Sequence, residues 1–273
     1  MAPFLFDFTF DKQNVEFIRD SAEQAYTPAP NRSRNGAFCP YPIPTVDEIN
    51  KLINDNSHRV NKSQIISDTF ECGAIAVSNL VDLPQAKARE ERYLQIIRNY
   101  QKPEQELIAT VFSRIYALLS SVVYANGRFD DYLGQLFMRN NQGSSNAGQY
   151  FTPYNISKFC SKMTLTENSV RALIEQDKII TLNDPCCGSG GMMLAAMDIL
   201  QNDFGVNYAR NCFVDCGDID ARCVHMTYLQ LSLAGVPAVI KHQDALSRKL
   251  WGVWYTPAYL FQYPRFQKYV SLN

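Results

Sequence analysis

The chain has almost no net charge: 26 basic residues stand against 27 acidic ones, which leaves −1 at pH 7. No overall field draws it onto a polyanion, so any such contact must come from a local patch. Histidine is scarce, with three in 273 residues. The eight cysteines (39, 72, 160, 186, 187, 212, 216 and 223) show neither common zinc spacing. That pattern argues against a metal centre and for cysteines that serve as small buried apolar residues. The opening residues lack a basic stretch and carry Asp7 and Asp11, so no export signal is read there. The apolar run Met1 to Phe10 is far too short to span a bilayer. The expectation is a cytoplasmic protein with free thiols and no membrane contact.

The composition does support a packed core: 46% of residues are hydrophobic and 19% charged. Three regions follow from the pattern. Residues 1–45 are aromatic-rich, then proline-rich, and read as an extended arm with one helix near Asp11 to Tyr26. Residues 46–147 are helical. Thr45 followed by Glu48 is a capping-box pair, and Ile66, Phe70, Ala74 and Val77 share one helix face. Pro84 and Pro103 each suit the first turn of a further helix.

From residue 148 to 273 the period changes. Thr152 and Pro153 suit the start of a helix, as N-cap and first-turn residues. Short β-branched runs at 178–182, 212–214 and 237–241 then alternate with helices near 191–201 and 221–234. Strands alternating with helices indicate a parallel sheet with crossover helices, an α/β fold. The first strand runs into Asp184-Pro185-Cys186-Cys187-Gly188-Ser189-Gly190-Gly191. Gly188 and Gly190 allow a tight turn and close approach to a ligand at a helix N-terminus. The second strand ends in Gly217-Asp218-Ile219-Asp220, where a carboxylate can hold ribose hydroxyls. Together these features point to a nucleoside ligand. Each acid also has a simpler reading: Asp184 as a cap of the next helix, and Asp218 or Asp220 as the cap of the helix near Ala221.

Three stretches resemble the N6-adenine DNA methylase family, which includes the modification subunits of type I restriction systems. They are Asp131-Tyr132-Leu133-Gly134-Gln135-Leu136-Phe137, then Gly148-Gln149-Tyr150-Phe151-Thr152-Pro153, then Asn183 to Gly191. The resemblance implies a helical N-terminal domain followed by a Rossmann-like S-adenosylmethionine-dependent methyltransferase domain, with DNA as partner. It implies that Tyr150, Phe151, Thr152 and Pro153 pack beside the methionine part of that cofactor. Asp184, Gly188 and Gly190 would surround its amino-acid and sulfonium portion. Asp218 would hold the ribose, Ile219 would lie beside the adenine, and Asp244 would accept from the adenine amino group.

The chain departs from that family's pattern after Asp244. No Asn-Pro-Pro-Tyr string follows; the nearest is Thr256-Pro257-Ala258-Tyr259. Thr256, Pro257 and Tyr259 are therefore the candidates for an altered catalytic motif. The stretch from Ala245 to Asn273 is also too short for three more strand–helix units, so the expectation is a truncated methyltransferase sheet. In such a sheet Trp251 to Thr256 would form an inner strand whose far edge stays bare. The N-terminal arm, with Phe4, Phe6, Phe8 and Phe10 at the spacing of one strand face, the tail, a protein partner or a second copy would cover it. The tail mixes five basic residues (Lys241, Arg248, Lys249, Arg265 and Lys268) with many aromatic rings. Those rings either stack on nucleic-acid bases or pack back on the sheet. Two functions stay open: a DNA adenine-N6 methyltransferase, or an inactive homologue that acts as a nucleic-acid- or protein-binding regulator.

Overall fold

The structure, a computed structural model, describes residues 43–57, 59–124, 128–140 and 150–270. The aromatic arm and the helix expected at Asp11 to Tyr26 lie outside them. Five helices come first: α1 (Val46–Asn56), α2 (Lys62–Asn79), α3 (Leu83–Ile97), α4 (Lys102–Tyr124) and α5 (Tyr132–Asn140). The capping box forms as expected. Thr45 Oγ1 accepts from the Glu48 N–H, and the Glu48 carboxylate accepts from the Thr45 N–H at 2.7 Å. At Gly73 of α2 an added Cβ would lie 2.3 Å from the Phe112 ring, so the missing side chain lets α2 and α4 approach closely. By length and composition α4 could cross a membrane. Here Ile108, Val111, Phe112 and Ile115 are buried against α1, α2 and the helix that follows the second strand.

Two helices, α6 (Tyr154–Thr164) and α7 (Glu167–Glu175), lead into the sheet. α6 starts one residue later than expected: Pro153 is the N-cap, and Thr152 stays outside the helix as an exposed residue. Its amphipathicity is inverted. Ser157 and Ser161 face inward, and Lys158 and Lys162 pair with Asp198 and Asp203, each at 2.7 Å. Ile156, Phe159 and Met163 are exposed.

The remaining elements are β1 (Ile180–Asp184), α8 (Gly191–Asp198, extended by a π-helical turn over Ile199–Asp203), α9 (Tyr208–Asn211), β2 (Cys212–Asp218), α10 (Ala221–Leu233), β3 (Ala238–Gln243) and β4 (Leu250–Tyr255). Two short helices, α11 (Pro257–Phe261) and α12 (Tyr263–Phe266), and a 3-10 turn over Gln267–Tyr269 close the described chain. The sheet order is β1-β2-β3-β4, with the first three strands parallel. Successive right-handed crossovers that step in one direction put α8 and α10 on the same face. One hydrophobic cluster fills that face and runs on through α1–α5. The opposite face carries a smaller cluster of Ile179, Phe213, Val239, Tyr259 and Phe266. The tail rings Tyr259 and Phe266 thus pack back on the sheet, while Trp251, Phe261 and Tyr263 remain exposed.

β4 corrects the expectation of an inner strand. It is an edge strand, antiparallel to β3, with Val239 opposite Tyr255. Connection length explains this: a parallel neighbour needs a crossover of about a dozen residues, and only 244–249 intervene. The hairpin closes through Asp244 N–H to Lys249 O at 2.9 Å. The outer side of β4 is met by α3, because Arg89 Nη2 donates to Val253 O at 3.0 Å and Gln85 Nε2 reaches the same oxygen at 3.5 Å. Arg89 also pairs with Asp82 at 2.8 Å, with both side chains below 10% exposure, and its guanidinium lies 4.0 Å from the Trp254 ring centroid.

This clamp yields a stability prediction. Removing one partner of a buried pair leaves the other charge uncompensated, at a cost of about 3–5 kcal/mol. Arg89→Ala should lower the unfolding free energy by about 3 kcal/mol in urea titration. A change below about 1 kcal/mol would show that α3 does not brace the β4 edge.

Candidate functional site

The parallel register aligns Asp184 with Cys216 and so brings the ends of β1 and β2 together. The loop between β1 and α8 is held from several sides. Cys187 N–H donates to Gly217 O at 2.9 Å, and Gly188 N–H donates to Asp218 Oδ2 at 2.9 Å. Thr227 Oγ1 of α10 donates to Gly188 O at 2.9 Å. Gly188 has φ +55° and Gly190 has φ +88°, a region that disfavours a side chain. A Cβ at Gly190 would also lie 3.0 Å from Thr227 Oγ1, and one at Gly188 would lie 3.0 Å from the Phe151 ring.

Around this loop, with its Gly188 and Gly190, the structure places Phe151, Asp184, Asp218 and Ile219. Phe151 sits over Gly188 and is tilted against Phe137, with ring centroids 5.5 Å apart. Asp184 Oδ1 accepts from Cys186 N–H at 3.1 Å, and its other oxygen makes no bond to a described residue. Burial, and then the charge of Asp218, hold the Asp184 carboxyl above the usual range. Asp218 is 9% exposed, and each of its oxygens accepts one N–H, from Gly188 and from Asp220, both at 2.9 Å. Asp220, not Asp218, caps α10 by accepting from Arg222 N–H. Ile219 is exposed on the rim, and its carbonyl accepts from His242 Nε2 at 3.1 Å.

Other candidates lie further out. Tyr150 is 85% exposed and projects into solvent. Asp244 organises the hairpin turn: it accepts from the N–H groups of Leu246 and Ser247 and from the Ser247 hydroxyl, which hold its carboxyl below the usual range.

Thr256, Pro257 and Tyr259 are not brought to this site. β4 runs antiparallel, so its end lies beside the beginning of β3, about 16 Å of strand away from the loop. Thr256 is fully buried there; its hydroxyl donates to Val236 O at 2.7 Å and accepts from Ala238 N–H at 2.9 Å. Pro257 opens α11, and Tyr259 is 2% exposed, with its ring 5.8 Å from Phe213.

Two residues given no role from sequence complete the loop, although Asp131 opens the first of the three stretches that resemble the family. Asp131, just before α5, is buried and accepts from Ser189 Oγ at 2.5 Å, Gln230 Nε2 at 2.9 Å and Gly134 N–H at 3.0 Å. Gln230 of α10 also donates to Ser189 O at 2.7 Å. Burial pushes the Asp131 carboxyl above the usual range against these bonds. Among the described residues no group of histidine, cysteine and acidic side chains could hold a metal ion.

Comparison with known proteins gives a family. The N-6 DNA methylase profile matches residues 128–268, more than half of the chain, and the chain belongs to that family. No curated protein matches significantly. Solved structures with similarity include a candidate class I S-adenosylmethionine-dependent methyltransferase from Listeria monocytogenes. The two share 12% identity and a TM-score of 0.44, over 81% of this chain and 69% of that one. Another is the methyltransferase subunit of a type I restriction-modification system from Streptococcus thermophilus, with 17% identity and a TM-score of 0.37 over 76% of this chain. This chain spans 41% of the length of that subunit.

The Asp131 cluster can be tested directly. Asp131→Ala leaves three buried donors without their acceptor, each worth about 1–3 kcal/mol, so the expected loss of stability is about 3 kcal/mol or more in denaturant titration. Asp131→Asn keeps one acceptor oxygen and the shape, and should cost less than half as much. A loss below about 1 kcal/mol in Asp131→Ala would mean that these hydrogen bonds do not hold the loop.

Proposed function

We propose that this chain binds S-adenosylmethionine at the loop from Asp184 to Gly191, in the manner of site-specific DNA adenine-N6 methyltransferases. One observation carries the reading: Asp184 and Asp218 close the ends of adjacent parallel strands beside a loop whose own N–H groups are largely taken. The N–H groups of Cys186, Cys187, Gly188 and Gly190 all bond within the protein. A phosphate-binding loop keeps such donors free for the anion. This loop offers carboxylate acceptors instead, which suits a cation that carries hydroxyl and amino donors.

The residues present fit that cofactor. Asp184, with an oxygen free of described partners and a raised pKa, gains from a nearby positive charge. Asp218 keeps a lone pair on each oxygen for the ribose hydroxyls. Gly188 and Gly190 keep the backbone close, Phe151 walls one side and Ile219 flanks the adenine, whereas the exposed Tyr150 and the hairpin-bound Asp244 stand further out. When bound, the cofactor supplies a methyl group on a positively charged sulfur.

Transfer to an adenine amino group also needs acceptors aimed at the target base, and such preorganised groups are usually the largest catalytic contribution. The chain has no Asn-Pro-Pro-Tyr string, and Thr256 to Tyr259 lie at the other end of the sheet. DNA is the implied partner, in a cytoplasmic restriction-modification setting. The second reading, a regulator that keeps the cofactor site and binds nucleic acid or protein, draws on the same placement of Thr256.

Calorimetry with S-adenosylmethionine tests the binding. Charge-assisted hydrogen bonds are worth roughly 1.5–3 kcal/mol, so Asp218→Asn and Asp184→Asn should each weaken binding by about tenfold or more without unfolding the chain. Absence of binding by the unaltered chain, or full affinity in both variants, would refute the assignment. Methyl transfer by this chain alone to unmethylated DNA should stay near background in a radiolabel assay. Robust labelling of adenine N6 that disappears in Asp184→Asn would instead establish a working target-base site.

A further inference from the structure

Helix α6 is built inside out. Its inward face carries Ser157 and Ser161, at 1% and 5% exposure. Its outward face carries Ile156, Phe159 and Met163, at 46%, 59% and 69% exposure. These three recur at the i, i+3, i+7 spacing of a single helical stripe, the pattern that ordinarily faces a core. At the rise of a helix the stripe is about 10 Å long. Large apolar residues turned to solvent on a helix whose buried face is polar mark a surface made to be covered. The chain that leads into α6 offers no cover, because Asn141 to Gln149 holds one apolar side chain, Ala147.

The start of the chain has what the stripe lacks. Phe4, Phe6, Phe8 and Phe10 stand at period two, the spacing of one strand face, with Asp7 and Thr9 on the other. Alternate residues of an extended chain lie about 6.6–6.8 Å apart, so three such rings span about 13 Å, close to the length of the stripe. The described chain begins at Ile43, just before α1, and the first half of α1 is held on the end of α5. Asp47 pairs there with Arg139, and Asn140 Nδ2 donates to Asn50 Oδ1 at 2.8 Å. Phe137, in the last turns of α5, meets Phe151, three residues before α6. Residue 43 and the start of α6 therefore flank one helix end, and the chain between Phe10 and Ile43 can reach roughly 100 Å. The other place considered for this segment, the outer side of β4, is met by α3.

We propose that the segment Phe4 to Phe10 docks on the outward face of α6, with its rings against Ile156, Phe159 and Met163. The size of the stripe decides between this occupant and a second copy of the chain. A large side chain buries roughly 150–250 Å² at most, so three partly exposed ones offer roughly a few hundred Å². A stable association of separate chains needs about 800 Å² on each partner. A tethered segment instead meets its site at an effective concentration on the order of millimolar, so a patch of this size is enough. The docked segment braces the helix that follows Phe151, the ring over Gly188. This inference does not depend on the cofactor reading.

Photo-crosslinking in the full chain tests this. With Phe159 replaced by benzoylphenylalanine, irradiation of a dilute sample should join that position to residues 4–10 of the same chain, located by mass spectrometry of the digested monomer. Phe6→Asp combined with Phe8→Asp should cut the yield about tenfold, because charge on the docking face opposes its burial. Thr9→Asp, on the other face, should leave the yield within about twofold. The same probe at Met163 should give the same crosslinks, and it serves if replacement of Phe159 disturbs folding. Products that join two chains, with a dimer that grows with concentration in size-exclusion chromatography, would assign the stripe to a second copy and overturn the proposal. So would the absence of crosslinks to residues 4–10 from both probe positions, or a yield that the combined Phe6→Asp and Phe8→Asp variant leaves unchanged.

Discussion

The geometry of the site depends on one buried carboxylate. Asp131 belongs to the helical region, yet its three hydrogen bonds reach the glycine loop, α10 and its own helix. A buried acid is costly, and burial raises its pKa. The cost is offset only if every donor around it stays in place, which ties the position of Ser189 to that of α5. Close packing strengthens the tie: an added Cβ at Gly134 would overlap the Asp131 carboxylate, and one at Gly191 would lie 3.1 Å from it. The helical region is therefore part of the site's scaffold. Phe137, on the same helix, supplies the ring against which Phe151 is set over Gly188.

Much of this fold was legible in the chain because local chemistry decides it. The Thr45–Glu48 box, Pro84, Pro103 and the cap at Asp220 act within one turn of backbone, and each helix begins where these residues place it. The glycine loop was legible for the same reason, since positive φ at Gly188 and Gly190 is a local demand. What escaped was set by pairing at a distance. Asp131 and Gln230 are 99 residues apart in sequence, and nothing in either neighbourhood announces their bond. The position of β4 follows from the short connection 244–249, a rule available from sequence but outweighed there by the expectation of an inner methyltransferase strand. Once β4 turns back, Thr256 and Tyr259 are carried to the wrong end, and a hydroxyl considered for catalysis becomes a helix cap instead.

The same hairpin sorts the chain's aromatic residues into two populations. Tyr259 and Phe266 cover the sheet face that no crossover helix reaches, and they do so because both crossovers step in one direction. Trp251 stays at the ligand end because it precedes the regular part of β4. Aromatic content alone left the tail open between base stacking and packing on the sheet; strand direction divides it into a structural part and an exposed part.

Electrostatics at the ligand end then bears on the order of events. Asp184, Asp218, Asp220 and Asp244 all lie at the ends of β1 to β3 or just beyond them. Arg222, whose side chain is 39% exposed, forms an ion pair with Asp220 at 2.5 Å, and Lys241 is buried on Asp215 at 2.7 Å, so each of these cations is matched by an acid. Among the described residues, Arg248 and Lys249 of the hairpin are further cations near it. A phosphate backbone that approached first would meet more negative than positive charge, at separations inside the Debye length of roughly 8–10 Å where screening is incomplete. On the proposed reading, a bound sulfonium cofactor adds a positive charge beside Asp184 and lowers that barrier. On that proposed reading the charges favour cofactor first and nucleic acid second.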